Sequence, residues 1–121
     1  MYWISMAWLL LPALQDHSHE LHLNEGQKWT ANQATHDGMI QLLALINQED
    51  VPESLQSDMD TVIKGIITQC DMTGEAHDQL HIVLVPIIEA VNAMNTSEAT
   101  AEHLNNIRHQ LDQYFAHFQA P

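Results

Sequence analysis

The stretch LHIVLVPIIEAV, residues 80–91, decides the fold. It is apolar on most sides, which is typical of a helix buried among other helices. Pro86 lies inside this run and removes the amide that would bond the carbonyl of Ile82, so we expect a kink there. With its flanks, the pattern predicts a helix from about Glu75 to Met94. A strand over HIVLV is the alternative, but no second strand is evident in the sequence to pair with it.

Three other segments have the apolar spacing of amphipathic helices. A capping-box pattern at Thr30 predicts a first helix over about Ala31 to Gln48. Asp50 indicates the start of a second helix over about Pro52 to Cys70, because proline is tolerated in a first turn. Ser97 caps a fourth helix that runs towards the C-terminus. Four helices with short connections predict an all-α fold, an antiparallel up-down-up-down four-helix bundle.

The N-terminal residues differ in composition from this domain. Residues 1–15 form a signal-peptide-like apolar segment that is too short to span a bilayer as a helix. A basic n-region and a clean A-x-A cleavage site are missing. We favour a cleaved export signal, and hence a periplasmic or secreted bacterial protein with no stable membrane span. A retained interfacial anchor and a cytosolic protein are the alternatives.

A polar leader at residues 16–29 precedes the bundle domain, which is expected to cover residues 30–121. The leader holds His17, His19 and His22, a group that can capture Zn, Cu or Ni loosely. A solvated leader without any ligand is the alternative.

Composition limits the classes of function. The chain has 121 residues, of which 45% are apolar, enough for one domain with a modest core. Three Lys and Arg stand against sixteen Asp and Glu, for a formal net charge of −13 at pH 7. This charge argues against nucleic acid and anionic membranes as partners and is compatible with attracting cations. The single cysteine excludes an internal disulfide; its thiol is free, metal-bound or paired with another chain, so a homodimer stays open.

The segment CDMTGEAHDQLH, residues 70–81, contains the candidate site. His77 and His81 are one helical turn apart, the spacing by which zinc-protease helices hold a metal. We expect both histidines to face inward, together with Cys70 at the end of the second helix. A thiolate and two imidazoles would then meet at one ion, and Met72 could add a thioether.

The bundle topology brings further residues to the same end. The connection between the second and third helices shares that end with Trp29, His36, Tyr114 and His117. His36 is therefore a candidate for a fourth ligand. Cysteine with histidine suits zinc, whereas cysteine, methionine and histidine together favour copper. The predicted function is capture, delivery or sensing of Cu or Zn, with an affinity that falls at acid pH as the ligands take up protons.

The same residues also have interpretations without a metal. Cys70 alone fits a small buried hydrophobe, His77 a residue bonded to a neighbouring carboxylate, and His81 a satisfied core histidine. The alternative function is thus a ligand-free structural or interaction bundle. We predict no enzyme, because no phosphate loop, Ser-His-Asp pattern or catalytic carboxylate pair is evident. A Cys70–His77 nucleophile or redox pair is the weaker alternative.

Two short motifs support a resemblance to a known family. The opening LNEGQKW, residues 23–29, and the pattern C-x-M-x-G-x-x-H-D-x-L-H over residues 70–81 resemble a family of small, uncharacterised exported bacterial proteins. The likeness covers most of residues 23–95. It implies a helical bundle and names neither an activity nor a ligand.

The architecture is also similar to that of cytochrome c′ and soluble b-type cytochrome bundles. The chain departs from these because it lacks a Cys-x-x-Cys-His motif, so no covalent haem is expected. A non-covalent haem would need axial ligands such as Met39 with His109 or His117. Met39 lies about two turns inside the first predicted helix, while His103 and His109 fall off the apolar stripe of the fourth. This geometry disfavours haem.

Overall fold

The structure, a computed structural model, describes residues 20–94 and 100–121. Its elements are, in chain order, strand β1 (Trp29–Thr30), helices α1 (Gln33–Ile46), α2 (Leu55–Gln69), α3 (Gly74–Ala93) and α4 (Thr100–His117), and strand β2 (Phe118–Gln119). The predicted all-α fold with four helices is confirmed. Within the described ranges, no helix is both long and apolar enough to cross a membrane.

Several predictions concern residues outside these ranges. The signal-like segment at residues 1–15, the leader residues His17 and His19, and the Ser97 cap all lie outside the described residues. Export and the capture of ions by the leader therefore stay predictions.

The helices pack as an antiparallel bundle. Helix α1 lies mainly against α2, and α3 mainly against α4, while smaller α2–α3 and α1–α4 contacts close the ring. The Asn32 side chain before α1 donates to the carbonyl of Gln69 at the end of α2, at 3.0 Å. Gln56 near the start of α2 donates to the carbonyl of Val91 near the end of α3, at 2.8 Å. Consecutive helices therefore run in opposite directions, as predicted.

Apolar side chains from all four helices form one core. The helical residues of this core are Met39, Leu42, Ile46, Leu55, Met59, Ile63, Ile66, Leu80, Val83, Leu84, Ile87, Ala90, Val91, Ile107, Leu111 and Tyr114. Helix α3 contributes more buried residues than any other helix of the described chain, so the prediction that it is buried among the other helices is confirmed. It continues through Pro86 without ending.

Two predicted helix starts are wrong. The N-cap of α1 is Asn32 rather than Thr30, because Thr30 belongs to β1 and pairs in parallel with Gln119 of β2. Helix α2 begins at Leu55 rather than Pro52, since the residues between them form a turn in which the Leu55 amide donates to the Pro52 carbonyl at 3.1 Å. Thr73 occupies the N-cap position of α3, and its side chain makes no capping hydrogen bond.

The strand pair joins the residues before α1 to the residues after α4. Trp29 pairs with Phe118, and the amide of Ala31 donates to the Gln119 carbonyl at 2.9 Å. The start of α1, the end of α2, the start of α3 and the end of α4 therefore meet at one end of the bundle. We call it the Trp29 end. The prediction that these helix ends lie at the same end of the bundle is confirmed.

Candidate functional site at the Trp29 end

His77 and His81 form a side-by-side pair on the first turns of α3. Their ring centroids are 4.4 Å apart and the ring planes are inclined by 69°. His77 is half-buried and His81 is exposed, so the prediction that both point inward is wrong for His81. The buried face of α3 is centred on Leu80, Val83 and Ile87. One residue turns a helix by about 100°, which moves His81 from that face to a flank.

The separation of the two rings can be compared with that of two histidines bound to one metal ion. An imidazole nitrogen binds zinc at about 2.0–2.1 Å, so two imidazoles on one ion at about 90–109° have ring centres about 4.5–5 Å apart. The observed centroid separation of 4.4 Å is close to that range. Edge-to-face packing of two rings gives a similar distance. The separation therefore fits both a pair of metal-binding imidazoles and a ring contact without an ion.

Cys70 and Met72 lie on the connection between α2 and α3. Cys70 ends α2 with an extended backbone, and both side chains are half-buried against the hydrophobic core. In the described parts of the chain, no group of three or more His, Cys, Asp or Glu side chains is placed to hold a metal ion. The structure thus brings together two of the five predicted ligands, and the complete metal site stays a prediction.

His36, the fourth predicted ligand, contacts an aromatic cluster instead. Its Nδ1 atom lies 2.8 Å from the hydroxyl oxygen of Tyr114. Burial raises the pKa of the Tyr114 phenol well above its ordinary value, so the hydroxyl keeps its proton and can donate to Nδ1. The Tyr114 ring stacks on Phe118 with centroids 5.0 Å apart. His117 also contacts its own helix, because its Nδ1 donates to the Gln113 carbonyl at 2.8 Å.

Gln79 is a structural residue that the sequence analysis missed. Its side chain is only 1% exposed, although its neighbours on the inner face of α3 are apolar. The amide nitrogen donates to the Glu20 carbonyl at 3.1 Å, and the amide oxygen accepts from the backbone of His22 at 2.8 Å. Its position on the apolar face of a predicted helix could have indicated this role, because a buried amide needs hydrogen-bond partners.

The leader residues from 20 onward are held against the bundle by this glutamine and by Trp29. The Trp29 indole nitrogen donates to the His22 carbonyl at 2.7 Å, and Trp29 is buried, as expected of a residue covering this end. The His22 ring lies 3.3 Å from a Glu75 carboxylate oxygen through Nε2, and its Nδ1 donates to the Leu23 carbonyl at 2.9 Å. Both ring nitrogens of His22 therefore contact the chain itself.

His22 and the histidine pair lie on different flanks of α3. Glu75, which contacts His22, and His77 are two residues apart, or about 200° around a helix. The proposed haem ligands are also separated, because Met39 is fully buried in the core whereas His109 is exposed. His103 is half-buried on α4. Of the predicted metal ligands, His77 and His81 are the two that the structure places in contact with each other.

Comparisons of the chain with protein-family models, with curated proteins and with solved structures found no match. The resemblance based on residues 23–29 and 70–81 therefore stays a prediction, and the interpretation of the site depends on its own geometry.

Proposed function

We propose that this protein is an exported four-helix bundle that binds a transition metal, Cu or Zn, at the Trp29 end for capture, delivery or sensing. His77 and His81 are the first two ligands. The observation that supports this proposal is the 4.4 Å separation of their ring centroids on a solvent-accessible flank of α3. The chain's charge of −13 favours cations near its surface.

The remaining predicted ligands could join the pair only after movement. Cys70 and Met72 belong to the connection that precedes α3, and both pack against the core. A shift of that connection would bring a thiolate and a thioether towards the imidazoles, and this donor set favours reduced copper. Without the shift, the two imidazoles alone suit zinc or oxidised copper.

A ligand-free structural or interaction bundle is the second candidate function. It is supported by the finding that the described side chains include no group of three metal-binding residues. It is also consistent with the edge-to-face contact between His77 and His81, which needs no ion.

Metal titration of the full chain, purified without a His tag, tests the proposal. We would use isothermal titration with Zn²⁺ or Cu²⁺ in a background where His17 and His19 are alanine, so that the leader does not contribute. His77→Ala and His81→Ala should each weaken binding by tenfold or more, because a chelating pair becomes a single ligand. His109→Ala, which removes an exposed histidine of α4, is the matched control and should bind like the parent.

Far-ultraviolet circular dichroism would show that each variant keeps its helices. Equal affinity in the parent and in the His77→Ala/His81→Ala double variant would overturn the proposed site. The Cys70→Ser variant reports separately on the thiol: a further loss of Cu⁺ affinity is expected if the α2–α3 connection supplies it.

A further inference from the structure

The histidine pair provides only half of a tetrahedral zinc site. Structural zinc is almost always held by four protein ligands. His77 and His81 supply two, and the part of the chain that the structure describes offers no third His, Cys, Asp or Glu beside them. Two coordination positions on an ion bound here would therefore face away from α3.

The surface around the pair is partly apolar. Val85 follows His81 by one helical turn on the same flank of α3 and is 45% exposed. Ile67 of α2 is 55% exposed. Isolated apolar residues are common on protein surfaces, so their position relative to the histidines decides whether they matter.

Helical register places these residues on facing flanks of two neighbouring helices. Gln56 and Asp60 of α2 line a groove with Val91 and Asn92 of α3, which identifies the flank of α2 that adjoins α3. Ile67 lies eleven residues after Gln56, or about 20° from it around the helix, and so shares that flank. On α3, Asn92 lies on the flank of the histidine pair, since it follows His81 by eleven residues. Ile67, His77, His81 and Val85 therefore belong to one surface, here called the α2–α3 flank.

We propose that the α2–α3 flank is the contact surface of a zinc-linked homodimer, in which His77 and His81 of two copies bind one Zn²⁺ ion on a twofold axis. This inference rests on the proposed function. A twofold axis brings the same residues together from both copies, so two ligands become the four that zinc requires. Val85 and Ile67 would be covered beside the ion.

Charge explains why the ion is needed. Each copy has a formal net charge of −13, so two copies repel at long range. A divalent cation at the contact reduces this repulsion locally and supplies directional bonds that two small apolar patches lack. The metal-free chain is accordingly expected to be a monomer.

Multi-angle light scattering after size-exclusion chromatography, combined with elemental analysis, tests the dimer. The full chain, with His17 and His19 replaced by alanine and Cys70 by serine, excludes dimers held by the leader or by a disulfide. Zinc should double the mass and bind at half an ion per chain, and EDTA should restore the monomer. His81→Ala should abolish the dimer, whereas His109→Ala should leave it intact.

A second variant tests the surface separately from the ligands. Val85→Asp retains both histidines but places a charge in the contact, so it should bind zinc while dimerising at least tenfold more weakly. One zinc per chain with a monomeric mass would overturn the dimer and leave the proposed metal binding standing. Failure of the chain that keeps Cys70 to bind either zinc or copper would instead overturn the proposed function. A dimer that is unaffected by Val85→Asp would show that another surface is used.

Discussion

At the scale of single residues, the Trp29 end is organised by a few polar side chains placed inside an apolar environment. Tyr114 is completely buried, yet its hydroxyl lies within hydrogen-bond distance of the Nδ1 atom of His36. Gln79 is buried to a similar degree, and both the nitrogen and the oxygen of its amide form hydrogen bonds with the leader backbone. Because a buried polar group without a partner is costly, each of these contacts specifies one arrangement of the chain at this end.

Tyr114 should make the protein sensitive to alkaline pH. Its pKa is raised by burial, so the folded chain holds the phenol proton more tightly than the unfolded chain. The resulting stabilisation is complete below the ordinary tyrosine pKa of about 10 and is lost as the pH rises above that value. The free energy of unfolding, measured in urea at neutral and alkaline pH, should therefore fall less steeply in Tyr114→Phe than in the parent.

At neutral pH, the Tyr114→Phe variant also tests the hydrogen bond between Tyr114 and His36. Loss of the hydrogen bond to His36 should lower the free energy of unfolding by about 0.5–1.5 kcal/mol. Other groups that titrate at alkaline pH are common to both proteins and cancel in the comparison. If the free energy of unfolding fell equally steeply with pH in the parent and in Tyr114→Phe, the raised pKa of Tyr114 would be contradicted.

At the scale of elements, the close packing of α1 on α2 depends on one glycine. A Cβ atom added at Gly38 would lie 2.6 Å from Cδ1 of Ile66 and closer still to its Cγ1. Ile66 is only 1% exposed, so it has little room to move aside. Gly65 on α2 has free space instead: the nearest atom to an added Cβ is Nε2 of Gln69, at 3.9 Å. Two helical glycines thus differ in what surrounds them.

Alanine at these two positions should change stability in opposite directions. Gly38→Ala gains up to about 1 kcal/mol of helix propensity but overpacks the contact, at a cost of about 1–3 kcal/mol, so we expect a net loss. Gly65→Ala should raise the free energy of unfolding by about 0.5–1 kcal/mol, because only the propensity changes. Chemical denaturation of both variants measures the difference. A stabilised Gly38→Ala protein would show that α1 and α2 are not this close.

At the scale of the whole molecule, strand pairing connects the segments before α1 and after α4, whereas the net negative charge of the chain destabilises the folded state. Strands β1 and β2 link the residue before α1 to the residues after α4. The chain, however, has only three Lys and Arg residues to balance sixteen Asp and Glu residues. The ion pair of Lys64 with Asp60, at 2.8 Å, lies within one exposed turn of α2 and does not bridge elements.

Monovalent salt should therefore stabilise the metal-free protein. Raising the ionic strength from about 0.01 M to about 0.15 M shortens the Debye length from about 30 Å to about 8 Å and screens the repulsion. We expect a gain of about 1 kcal/mol, or about 4 °C in Tm, measured by differential scanning calorimetry with EDTA present. Replacing exposed Glu102 by Gln and Asp112 by Asn should reduce this gain. A Tm that falls with salt would contradict the repulsion argument.

Features that depend on residues close in sequence could be predicted. The apolar run at residues 80–91 predicted α3 to within one residue at each end. The spacing of His77 and His81 predicted their contact, because residues one helical turn apart are neighbours in any helix. The start of α1 could not be predicted in this way. Thr30 fits a helix cap locally, but it is paired with Gln119, which lies 89 residues later in the sequence.

The sequence by itself determined the class of fold and the existence of the histidine pair, since helical periodicity is a local property. Only the tertiary structure decided which side of α3 the pair occupies, that Gln79 holds the leader, and that His36 contacts Tyr114. These contacts join residues 57 and 78 positions apart. Their geometry depends on how whole helix faces pack, which no short sequence window contains. For the same reason, whether His77 and His81 receive further ligands depends on surfaces beyond α3.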